Sequence, residues 1–115
     1  MSTKDNFIYV EHMLECIQRI DEYVVNKEQF YNTRIVQDAV VRNLQVMAES
    51  SQRLAEEIKR NYPDIPWNQI SGFRNILVHD YLGVDLDVIW SAVEQELSSL
   101  EKVLVEIQKN DNEKS

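Results

Sequence analysis

Turn-forming residues are scarce in this chain. Its 115 residues include two glycines, Gly72 and Gly83, and two prolines, Pro63 and Pro66. Sandwiches and barrels of many short strands need far more, because their tight turns draw on glycine's positive φ and proline's fixed φ. Loop-rich scaffolds are excluded for the same reason, and so is a glycine-rich phosphate loop. The lone cysteine, Cys16, forms no internal disulfide, which points to a reducing cytoplasm. Histidine is equally rare. His12 and His79 fall short of the four ligands a structural zinc requires. His12 and Cys16 lie one helical turn apart and read as ordinary packing, so no metal site is expected. The longest stretch free of Asp, Glu, Lys and Arg is Ile65 to Phe73, far short of the ~20 apolar residues that span a bilayer. The start, Met1-Ser2-Thr3-Lys4-Asp5, lacks the basic and apolar blocks of a signal peptide. A cytoplasmic protein without a membrane segment is the expectation.

What is present suits a single helical domain. The chain is 43% hydrophobic and 28% charged, and its length is typical of one domain. Net charge is −8, which argues against a general nucleic-acid binder, since affinity for phosphate backbones comes from Lys and Arg. The charge is uneven: residues 31–60 hold five bases and four acids, whereas residues 85–115 hold three bases and eight acids. A local phosphate site in the middle of the chain is compatible with this; a broad basic surface is not.

Periodicity predicts four helices. The first runs from Asp5 to Asn26 with the stripe Phe7, Val10, Leu14, Ile17, Ile20 and Val24. The second runs from Asn32 or Thr33 to the breaker Pro63-Asp64-Ile65-Pro66. Its stripe is Val36, Val40, Met47, Leu54 and Ile58, with Asn43 where another apolar residue is expected. The third spans Trp67 to Leu82 and ends at Gly83. The fourth starts near Asp85 or Asp87, and its stripe Leu86, Trp90, Val93, Leu97, Leu100, Leu104 and Ile107 runs unbroken. That stripe suits either a bundle core or a coiled-coil contact with a second chain. The predicted fold is therefore an all-α antiparallel four-helix bundle over residues 1–109, followed by a polar tail, 110–115, that frays.

Acidic pairs such as Glu56-Glu57 and Asp85/Asp87, and the acids of the last helix, read as solvated faces and helix N-termini. No serine sits in a nucleophile elbow. The remaining chemistry lies in Gly72-Phe73-Arg74-Asn75-Ile76-Leu77-Val78-His79-Asp80-Tyr81-Leu82-Gly83. At ~100° per residue, Arg74 and Tyr81 share one line along the helix. Asn75 and His79 share the next, so that Asn75 can orient the imidazole. Ile70, Phe73 and Leu77 form the buried side, which gathers the polar groups beside the core face. A structural alternative is a partly buried histidine and arginine satisfied by the acids of the last helix.

Arg74…His79-Asp80-Tyr81 resembles the Arg-x4-His signature of HEPN domains, specifically the HepT branch. The likeness extends through Ile35 to Leu44, Glu49, Tyr62-Pro63-Asp64-Ile65-Pro66-Trp67 and Gly83-Val84-Asp85. It departs at Ala48, where the family pattern has glycine, a difference that bears on packing. The resemblance implies a metal-independent RNA endonuclease without cofactors, the toxin of a toxin–antitoxin pair. Its partner would be a nucleotidyltransferase of the MNT type. Arg74 and His79 would be catalytic at a homodimer interface, and Asn75, Asp80, Glu49 and Asn43 would be supporting residues. Tyr81 would be the residue that the partner modifies with AMP (AMPylation). The competing expectation is a non-catalytic HEPN module that binds nucleotide or docks onto a nucleotidyltransferase. A third is a purely structural helical dimer.

Overall fold

The computed structural model describes the backbone of residues 3–79 and 85–114, and the side chains of residues 6–74 and 85–110. Every element among the described residues is helical: α1 (Thr3–Tyr23), α2 (Lys27–Asn32), α3 (Arg34–Arg53), α4 (Glu56–Asn61), α5 (Trp67–His79), α6 (Leu86–Ser91), a π-helical turn (Ala92–Glu96) and α7 (Leu97–Lys114). Each long helix forms because its apolar residues recur every three or four positions, which lays them on one face. Val10, Met13, Leu14, Ile17 and Ile20 of α1 are buried against Val40, Leu44, Met47 and Ala48 of α3 and Leu97, Leu100, Leu104 and Ile107 of α7. Helix α3 packs on α1 and α5, and α1 packs on α7, so the long helices lie in the order α7–α1–α3–α5. The α7 stripe is thus core of its own chain. The all-α expectation holds.

Four features of the sequence reading need correction. First, α1 ends at Tyr23 rather than Asn26, and a short helix not expected from periodicity, α2, follows. Asn26 is its N-cap, accepting from the Gln29 amide N–H at 2.8 Å, while the Gln29 side chain donates to the Tyr23 carbonyl at 3.1 Å and accepts from Val25 N–H at 3.1 Å. These side chains satisfy backbone groups that a longer α1 would have paired internally. Phe30 anchors α2, fully buried, with its ring 5.4 Å from Trp90.

Second, the helix expected to run to Pro63 is broken at Leu54 and Ala55, which are extended (ψ 142° and 140°). Leu54 stays buried, and the Ala55 N–H donates to the Asn6 side-chain oxygen of α1 at 3.1 Å. A side chain 49 residues away thus satisfies the donor that the break releases.

Third, the last helix is not continuous. Its buried positions are Ile89, Ala92, Leu97, Leu100, Leu104 and Ile107, a series with one step of five, which is the π turn. A regular helix that buries Ile89 and Ala92 would direct Glu96 inward. The wider turn brings Leu97 to the core instead and leaves Glu96 at its margin. Leu86, Trp90 and Val93, expected in the stripe, are only partly buried. Fourth, α7 continues through Lys114, so most of the polar tail 110–115 prolongs the same helix. The predicted end of the third helix, Leu82 and Gly83, lies outside the described residues.

Candidate functional site

The segment singled out by the sequence begins in α5. Trp67 opens this helix after the Pro63–Pro66 turn, where its indole N–H donates to the Tyr62 carbonyl at 3.0 Å. Ile70 and Phe73 are buried, as expected, and Arg74, the next residue, is exposed. Arg74 makes no ion pair among the described residues; the ion pair they contain is Lys59 with Glu56 at 3.9 Å. None of the described acids of the last helix pairs with Arg74, and Arg74 is exposed rather than partly buried as the structural alternative expects. Asn75 and His79 lie on the α5 backbone, one turn apart, but their side chains are outside the described part, as are Asp80 and Tyr81 entirely.

Helix α3 forms the neighbouring wall. The Ser51 and Ser71 hydroxyls are 3.3 Å apart, and the Gln52 amide donates to the Ser71 carbonyl at 3.4 Å. The C-terminal end of α3 thus meets the N-terminal end of α5, and the two helices run antiparallel. Eight residues along each helix cover the same ~12 Å, which sets Asn43 level with position 79 and Ala48 level with position 74. Asn43 is buried and donates its amide N–H to the Ala39 carbonyl, one turn back in its own helix, at 2.8 Å. Glu49 is exposed. Six residues of rotation put it ~120° around α3 from Asn43. On α3, Asn43 is thus buried while Glu49 projects from an exposed face of the same helix.

On its other side α5 borders a cleft that sequence reasoning missed. Gln69, Phe73, Asp87, Val88, Ser91, Ala92 and Glu96 line a volume of about 320 Å³ between α5 and the π turn. One carboxylate oxygen of Glu96 is buried and has no hydrogen-bond partner among the described residues. Desolvation by the surrounding apolar groups pushes its pKa up from the usual carboxylate value. The Asp87 carboxylate, by contrast, accepts from the Tyr31 hydroxyl of α2, and that bond holds the Tyr31 phenol up at about 12. No sequence signal marks Glu96, because it reads as one more acid on a solvated helix.

Among the described residues no group of His, Cys, Asp and Glu is arranged to hold a metal ion. His12 is exposed while Cys16 is buried, so the pair one turn apart does not converge. No described helix is long and apolar enough to cross a membrane.

A bundle whose described elements are all helical, with Arg74 exposed and without an ion pair among the described residues on the helix that also carries position 79, matches a known protein class. Residues 13–107 match the family model described as ribonuclease HepT-like. The chain belongs to the HepT-like family. It is 36% identical over 96% of its length to a protein of Methanocaldococcus jannaschii whose name pairs a gamma-glutamylcyclotransferase with a conjectured RNase; the match spans only 53% of that longer protein. It is 35% identical to "Probable ribonuclease HepT" of Thermococcus cleftensis over 80% of this chain and 86% of that one. With "mRNA nuclease HepT" of Shewanella oneidensis the identity is 27%, covering 77% of this chain and 85% of that protein. No solved structure matches.

Proposed function

We propose that the chain is a metal-independent RNA endonuclease, the toxin of a HEPN/MNT toxin–antitoxin pair, acting through Arg74 and His79. The observation that carries the reading is Arg74 on α5, exposed and without an ion pair among the described residues, five residues before His79, in a chain of the HepT-like family. RNA carries its own nucleophile. A base removes the 2′-OH proton, the 2′ oxygen attacks phosphorus, and the P–O5′ bond breaks as an acid protonates the leaving oxygen. Histidine, with an unperturbed pKa of ~6.5, suits both proton transfers at neutral pH. The guanidinium forks onto the non-bridging oxygens and stabilises the charge that builds on the phosphorane. Arg74 and His79 are ~140° apart around one helix, which favours a site shared by two copies related by a two-fold axis, each supplying the pair. Asn75 and Asp80 complete the motif as supporting residues, with Asn43 and Glu49 on α3.

Regulation follows from Tyr81. Its phenol oxygen attacks the α-phosphorus of ATP on the partner nucleotidyltransferase and pyrophosphate leaves. The attached AMP then brings a phosphodiester within reach of Arg74, where it competes with the RNA phosphate.

One set of reactions tests the reading. Incubated with cellular RNA in chelator, the purified protein should yield 2′,3′-cyclic phosphate ends. Arg74→Ala and His79→Ala should each lower the rate by about a hundredfold or more. Co-expression with the partner nucleotidyltransferase should add AMP to the Tyr81 peptide and silence cleavage, while Tyr81→Phe should escape silencing. Cleavage that survives His79→Ala overturns the acid–base role. Intact RNA with the wild-type chain leaves the nucleotide-binding or docking module as the better reading.

A further inference from the structure

One face of α3 is left uncovered by the fold. Asp38, Arg42, Glu49 and Arg53 are all exposed on it, and at ~100° per residue they fall within ~60° of one another around the helix. Their charges alternate, negative, positive, negative, positive, and their spacings of four, seven and four residues read the same from either end. Asp38 with Arg42, and Glu49 with Arg53, are one turn apart and could pair within the helix. They do not: the ion pair that the described residues contain is Lys59 with Glu56. Val41 and Val46, partly buried, flank the stripe on its two sides. A solvated face needs charge but no order. A face that meets its own copy across a two-fold axis needs such an order, because residue i faces j wherever j faces i.

We propose that this stripe is the docking surface for a second copy of the chain, with α3 antiparallel to α3 of the partner subunit and the two-fold axis between Gln45 and Val46. In that register Asp38 faces Arg53 of the partner subunit, and Arg42 faces Glu49 of the partner subunit. The axis repeats both pairs, so four ion pairs form along ~22 Å of helix. A parallel pairing would set like charges on each other. The charges fix register and partner, while the flanking valines and the arginine stems supply apolar contact.

The Ser51–Ser71 contact sets Asn43 level with position 79 and Ala48 level with position 74. Across an axis between residues 45 and 46, Asn43 lies opposite Ala48 of the partner subunit. Position 79 is therefore level with Arg74 of the partner subunit. A two-fold that reverses α3 also keeps both copies of α5 on the same side of it. The charge order of α3 and the five-residue spacing from Arg74 to His79 thus share one axis, although they belong to different helices. The purpose of the contact rests on the ribonuclease reading above: each arginine serves the histidine of the other copy.

Sedimentation equilibrium of the purified chain reads the contact without RNA. The wild type should be dimeric at micromolar concentration, and the dimer should weaken as salt screens the pairs. Arg42→Glu and Glu49→Arg each create two like-charged pairs across the axis, and each should weaken dimerisation at least about tenfold. Lys102→Glu, the same charge change as Arg42→Glu at an exposed position of α7, should leave it unchanged. Mixing the Arg42→Glu chain with the Glu49→Arg chain should restore dimers, as should both substitutions in one chain, because every pair is then attractive again. Recovery also shows that each variant folds. A monomeric wild type, single reversals that dimerise normally, or no recovery in either the mixture or the double variant overturns the interface. The mixed dimer also tests the shared axis. With Arg74→Ala on one chain and His79→Ala on the other, about half of the cleavage should remain, from the one site left intact. With both on one chain, opposite an unaltered pair, cleavage should be lost. The reverse pattern overturns the shared axis. Charge-swapped dimers that form but leave RNA intact overturn the ribonuclease reading alone.

Discussion

Two stretches that periodicity presents as continuous helix are interrupted, one at Leu54–Ala55 and the other at Ala92–Glu96, and the interruptions differ in what they leave unpaired. At the first, the released Ala55 N–H finds the Asn6 side chain, Leu54 stays in the core, and α4 restarts with Ile58 and Lys59 bonded to the Ala55 carbonyl. Every polar group named there has a partner. At the second, the backbone stays helical but a buried carboxylate oxygen of Glu96 has no hydrogen-bond partner among the described residues. The satisfied break turns the chain; the second keeps a desolvated carboxylate oxygen inside the fold. Single π turns inside helices often coincide with functional sites, and here the extra residue moves Glu96 from a core direction to the rim of a cavity.

The contrast predicts different costs. Leu54→Ala removes a side chain that is 3% exposed, and should destabilise the fold by about 2–5 kcal/mol in urea unfolding. A loss under about 1 kcal/mol would mean that the first break is an ordinary surface bend. Asn6→Ala leaves the Ala55 N–H without its acceptor and should cost about 1–3 kcal/mol. The change should not add to that of Leu54→Ala, because the two act on one junction; strict additivity would uncouple the cap from the break.

The smallest effect is expected at the second interruption. Burial pushes the Glu96 pKa above the ordinary value of 4.5, so the folded chain holds this proton more tightly than the unfolded chain. Its contribution to stability is therefore complete below about pH 4.5 and is lost as pH rises through the folded value. Glu96→Gln should then have the higher melting temperature at neutral pH and converge with the wild type in acid. The difference is reduced because much of the side chain still faces water. A variant less stable than the wild type at pH 7 would show that the ionised carboxylate is favourably held.

The sequence made the core and the class of fold legible, because apolar spacing records which face is buried. It also made legible the string Arg74 to Tyr81, the strongest pointer to chemistry; Arg74 is exposed and has no ion pair among the described residues, while Asp80 and Tyr81 lie outside them. The interruptions were not legible, for physical reasons. The Leu54 break depends on Asn6, which is distant in sequence and adjacent only in the folded chain. The last helix carries two overlapping apolar stripes, one through Leu86, Trp90 and Val93 and one through Ile89 and Ala92. The core takes the second, and the wide turn joins it to the α7 stripe that packs on α1. Glu96 was hidden because a lone glutamate carries no spacing signal.

Cys16 offers an experimental opening of a different kind. The chain's lone thiol is 2% exposed in the α1 core, and burial raises its pKa, so little thiolate is present at neutral pH to attack an alkylating reagent. For thiol-directed labelling the native chain therefore behaves almost as if it had no cysteine. Val25 and Ile35, the most exposed large apolar side chains among the described residues at 75% and 78%, are convenient positions for a single introduced thiol. A spin label or fluorophore there would report whether two copies associate, without a background signal from the core and without touching α5, the π turn or the cleft between them.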